Sequence, residues 1–80
     1  MSVITVLVPG ELAPNLDEER EYDVAFERLR GSWGRTKFYV FQVWDENGHN
    51  VMGAERELVV KHATECYYAE MLAAVSGQKP

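Results

Sequence analysis

Residues 37–53, KFYVFQVWDENGHNVMG, constrain the fold of this chain more than any other stretch, because strand periodicity and a turn code coincide there. Phe38, Val40 and Trp44 fall at alternate positions on one face, and Tyr39, Phe41 and Val43 fall on the other. Asn47-Gly48 offers the two φ > 0 positions of a type I′ turn. The pattern predicts a β-hairpin in which Trp44 faces Val51 and Val43 faces Met52, so that a strand over 36–44 is followed by a short one over 49–53. The longer strand is apolar on both faces apart from Gln42, which predicts a place in the middle of a sheet.

Upstream, 3–8 is a short apolar run rich in β-branched residues and closed by Pro9-Gly10, the pattern of a buried strand. Asn15 then precedes Leu16, Asp17 and Glu18, which supplies an N-cap, a Glu at the third helical position and acids in the first turn. With Tyr22, Ala25, Phe26 and Leu29 spaced i, i+3, i+4, i+7 and Gly31 placed to end the element, this predicts a helix over 16–30. That helix would carry a right-handed crossover joining the first strand, in parallel, to the second.

The last element, 54–76, reads as a helix. Val59, Val60, Ala63, Cys66, Tyr67, Met71 and Ala74 lie on one side, and Glu57, Lys61, Thr64, Glu65 and Tyr68 on the other. The β-branched pair near its start leaves open a strand over 57–62, with the helix beginning near Ala63. The expected fold is therefore α+β, ordered β-α-β-β-α, with a three-stranded sheet (3–8, 36–44, 49–53) packed by helices 16–30 and 54–76. Residues 1–80 make one small domain.

The totals set limits. With 46% apolar and 26% charged residues the composition is globular, and no apolar stretch approaches the roughly 20 residues of a membrane span. The lone Cys66 cannot form an intramolecular disulfide, and 3–8 has neither the basic flank nor the length of a signal core, so a cytoplasmic setting is expected. The net charge of −5 is unevenly placed. Positions 11–27 hold seven acids against Arg20, whereas 28–37 hold four bases and no acid.

Three groups of residues are candidate sites. The acidic side of the predicted first helix, Asp17, Glu18, Glu21 and Glu27, offers carboxylates to a basic surface, and Trp33, Tyr39 and Phe41 offer aromatic anchors. The plain alternative is a solvated face with Trp33 folded onto the core. Arg28, Arg30, Trp33, Arg35 and Lys37 form a basic, glycine-flanked loop suited to phosphates and base stacking, although an acidic protein repels nucleic acid at long range. His62, Cys66 and Glu70 fall at i, i+4, i+8, a spacing that serves a Cys nucleophile or part of a zinc site. Their plain reading is a buried Cys, a boundary His and a solvated Glu. Asp45-Glu46 at the turn serve turn chemistry and solvation. No phosphate loop, Cys-x-x-Cys, Gly-x-Ser-x-Gly or His-Glu-x-x-His occurs, so neither a cofactor nor a metal is expected.

The β-α-β-β-α order resembles a ferredoxin-type unit without its last strand, and Lys37-Phe-Tyr-Val-Phe41 resembles the aromatic strand of RNA-recognition modules. That motif's glycines are missing and the aromatics lie on the second strand, so RNA binding is not carried over. The hairpin and last helix resemble half of a double-stranded-RNA-binding domain, without its lysine cluster. Size, acidity and layout are similar to small phage-encoded inhibitors, including anti-CRISPR proteins, a likeness of class that covers no motif. The expectation is a non-enzymatic protein-binding module, an inhibitor or adaptor that engages a basic, nucleic-acid-handling partner and has scope for homo-oligomers. A nucleic-acid-binding module is the alternative, followed by a small Cys/His enzyme or metal protein.

Overall fold

Tyr22, Val24 and Phe26 alternate with Glu21, Asp23 and Glu27, and this period of two decides the fate of the segment read above as the first helix. In a computed structural model describing residues 1–10, 19–30 and 36–76, it is a strand. The elements are β1 (Ser2–Val8), β2 (Arg20–Arg30), β3 (Thr36–Asp45), α1 (Gly53–Cys66) and α2 (Tyr68–Ser76). The α+β class and the counts of three strands and two helices stand as expected, but the middle strand replaces the expected first helix, both helices come from the C-terminal third, and the order along the chain is β-β-β-α-α.

The sheet runs β1-β2-β3 and is antiparallel throughout. As a strand, 20–30 buries Tyr22, Val24, Ala25 and Phe26 and gives both neighbours a hydrogen-bonding partner. A helix over the same residues would have left Val24 outside its apolar stripe. The middle place expected for 36–44 belongs to β2, the expected parallel crossover is absent, and β3 lies at an edge. The start of the predicted helix, 16–18, lies outside the described residues, as does Gly31.

Register explains how β3 keeps its polar residue out of the core. Val43 pairs with Val24 and Gln42 with Ala25, but Phe26 pairs with Val40, so Phe41 is an extra residue, a β-bulge. Strict alternation from Phe38 and Val40 would send Gln42 into the core. The bulge turns Gln42 outward and places buried Val43 beneath the helices instead.

The hairpin turn is one residue longer than predicted. The Gly48 amide donates to the Asp45 carbonyl at 3.0 Å, and the Asp45 amide donates to His49 at 2.9 Å, so residues 46–48 form the loop with Gly48 at φ +84°. The Asp45 carboxylate selects this turn by accepting the Asn47 and His49 amides, each at 2.9 Å. Consequently Trp44 faces Asn50, and the Val51 amide reaches the Val43 carbonyl at 2.8 Å. The strand expected over 49–53 shrinks to that single bridge, because Gly53 at φ +72° turns the chain into α1.

Residues 54–62 are helical, and the predicted single helix is broken at Tyr67 (φ −116°, ψ 20°). The Thr64 hydroxyl, 3.0 Å from the Val60 carbonyl and 3.1 Å from that of Lys61, competes for acceptors just before the break. Val59, Ala63 and Met71 pack the two helices onto Val6, Val8, Tyr22, Val24, Phe26, Val40 and Val43 on one face of the sheet. Cys66, expected on the core side, is exposed.

Candidate interaction surface on the open sheet face

The alternation that sends Val6, Val8, Tyr22, Val24 and Phe26 toward the helices sends their neighbours the other way. Val3 (54% exposed), Leu7 (40%), Leu29 (45%), Tyr39 (53%) and Phe41 (44%) stand on the face opposite α1 and α2, with half-buried Trp44 beside them. Tyr39 and Phe41 meet edge to face at 4.8 Å on either side of inward-facing Val40. Ala25, fully buried in the same layer, leaves a shallow floor between Val3 and Gln42.

Down the middle strand of this face run Glu21, Asp23 and Glu27, all exposed. Asp23 accepts the Thr5 hydroxyl at 3.0 Å, while Glu27 lies opposite Tyr39. Among the described residues none of the three makes an ion pair. A row of unneutralised carboxylates between two apolar rails therefore fills the open face, an arrangement suited to a ligand with cationic and apolar groups.

Of the predicted partner-binding residues, Glu21, Glu27, Tyr39 and Phe41 come together here. The first two do so on a strand, and the acidic helix face expected to carry them does not exist. Asp17, Glu18 and Trp33 lie outside the described residues. Asp23, Val3, Leu7 and Leu29 were missed as members of the surface, and the odd-numbered alternation of 21, 23 and 27 was the signal that could have found them.

The basic cluster does not converge among the described residues. Arg28 pairs with inward-facing Phe38 and shares its side of the sheet, whereas Lys37 pairs with outward-facing Leu29, so the two cations lie on opposite faces. Trp33 and Arg35 lie outside the described residues, and Arg30 ends β2. A cleft of about 220 Å³ beside Arg28 is lined by Met1, Ser2, Glu27 and Val75, so it sets the Glu27 carboxylate beside the Arg28 guanidinium.

The break at Tyr67 puts Glu70 on a different helix from His62 and Cys66. His62 stacks edge-on against Tyr67 at 5.7 Å, and Glu70 is exposed. Among the described residues no three His, Cys, Asp or Glu side chains are grouped to hold a metal ion. No described helix is long and apolar enough to cross a membrane.

Both edges of the sheet are partly closed. On β1 the Leu7 amide donates to the Tyr67 hydroxyl at 3.0 Å, so the backbone groups of Leu7 point away from β2 and are covered. On β3 the 49–51 segment covers Val43 and Asp45, and Arg56 donates to the Val40 carbonyl at 3.0 Å. By the same alternation Phe38 and Thr36 aim their amides and carbonyls outward, and no other described residue bonds them. No family model, curated protein or solved structure matches this chain.

Proposed function

We propose that this chain is a non-enzymatic protein-binding module whose open sheet face captures a partner with a basic and apolar surface, as an inhibitor or adaptor would. The observation that carries this reading is the row of Glu21, Asp23 and Glu27, without an ion pair among the described residues, flanked by exposed Val3, Leu7, Tyr39 and Phe41. Apolar rails supply burial at about 25 cal/mol per Å². The carboxylates select for cations and steer encounter. Proteins that handle nucleic acids present such cationic surfaces, which makes them the favoured partner class.

The test is a titration with two synthetic amphipathic peptides, one of Lys and Leu and one of Glu and Leu, beside a 20-nucleotide single strand. The basic peptide should bind with an affinity that falls as salt rises, while the acidic peptide and the oligonucleotide should not bind. Combining Glu21→Lys with Asp23→Lys, or Tyr39→Ser with Phe41→Ser, should each weaken binding at least tenfold, about 1.4 kcal/mol. Equal binding by wild type and both variants rejects the face. Oligonucleotide binding that survives these changes and vanishes with Lys37→Glu and Arg28→Glu would move the assignment to nucleic acid.

A further inference from the structure

The edge of β3 carries outward backbone groups at Thr36 and Phe38 that no other described residue bonds, whereas farther along the same edge the Val40 carbonyl holds Arg56 and Val43 and Asp45 are covered. We propose that this edge pairs with the same edge of a second copy, antiparallel about a two-fold axis at Phe38, joining two three-stranded sheets into one of six. The inference goes beyond the face reading and does not depend on it.

Charge complementarity identifies the occupant. Pairing about Phe38 sets Lys37 of one copy opposite Tyr39 of the other, since 37 and 39 are equidistant from the axis. Within each copy Tyr39 already faces Glu27, and Lys37 faces Leu29. One row across the joined sheet therefore reads Glu27, Tyr39, Lys37 of the second copy, Leu29 of the second copy, and the symmetric row repeats it. The second copy's Lys37 lies over an aromatic ring, with Glu27 about 10 Å away, two strand spacings, within the combined reach of the two side chains. A carboxylate and an ammonium that make no ion pair with another described residue of their own copy thus receive each other across the axis.

The buried side agrees with this pairing. Phe38 packs edge to face on Phe26 and on Tyr68, each at 5.5 Å, so two Phe38 rings meeting at the axis continue an existing aromatic ladder. Thr36 pairs with Val40, whose carbonyl holds the Arg56 guanidinium and retains a second lone pair. Few residues meet, so the contact belongs to the small, reversible class of interface.

Equilibrium sedimentation of the full chain decides the matter. A reversible monomer–dimer equilibrium is expected below about 1 mM, the weak end of specific affinities. Lys37→Glu should raise the dissociation constant at least tenfold, the swap of Lys37→Glu with Glu27→Lys should restore it, and neither exposed substitution should move the thermal midpoint. A synthetic chain N-methylated at Phe38, which removes one outward donor and leaves every side chain in place, should be monomeric. A monomer at every concentration overturns the proposal, as does a dimer indifferent to both Lys37→Glu and the N-methyl group. Peptide capture by the open face is read separately, so either proposal can fail alone.

Discussion

The buried phenol of Tyr22 joins sheet to helix through one hydrogen bond, 2.5 Å to the Glu55 carboxylate in the first turn of α1. Burial and then the Glu55 carboxylate raise the Tyr22 pKa far above its usual 10.0. A raised pKa means that the folded chain holds its proton after the unfolded chain has released it, so this stabilisation is complete below pH 10 and declines as pH rises beyond. Tyr22→Phe should cost about 1 kcal/mol at neutral pH and blunt the alkaline decline, both read from urea midpoints. At the turn, the amides of His49 and Asn47 hold the Asp45 carboxyl below its ordinary range. Its contribution is therefore complete above that range and is lost as pH falls from it through the lowered pKa of the folded chain. Asp45→Ala should lower the thermal midpoint more than Asp45→Asn, which retains an oxygen acceptor. Gly53→Ala meets no neighbouring atom, yet at φ +72° it should still cost about 1 kcal/mol through backbone strain alone.

At the scale of elements, β1, β3 and the helical nature of the C-terminal third were legible in the sequence, and the middle strand was not. Residues 22, 25, 26 and 29 satisfy a helical stripe, and residues 22, 24 and 26 satisfy a strand. Local pattern does not choose between them, whereas the ladders to β1 and β3 do. The same non-local cause hid the site: four of its seven predicted partner residues share one face, but that face exists only once three strands are aligned. The turn slipped by one residue because a carboxylate competed with the Asn-Gly preference. The bulge yields a sharp expectation. Deleting Phe41 restores strict alternation with Val40 and Val43 still inward and Gln42 still outward, so the deletion variant should fold. Its thermal midpoint should stay within about 8 °C of wild type, the shift for roughly 1 kcal/mol in a chain this short. Because the Tyr39 ring contact is lost, its binding of the Lys–Leu peptide should fall.

At the scale of the whole molecule, one helical layer lies on one side of one sheet, and the proposed function assigns stability to the covered side and recognition to the open one. Met71 is fully buried on α2 against the core cluster, so Met71→Ala should cost about 2–5 kcal/mol, measured by chemical denaturation, and should leave peptide affinity unchanged at temperatures where the variant remains folded. Tyr39→Ser should do the reverse. The division follows β2 residue by residue, since Tyr22, Val24 and Phe26 look inward while Glu21, Asp23 and Glu27 look outward. A lineage carrying this fold can therefore rewrite its open surface, and with it the recognition proposed above, by codon changes at every second position of a single strand, while the intervening positions go on specifying the same architecture.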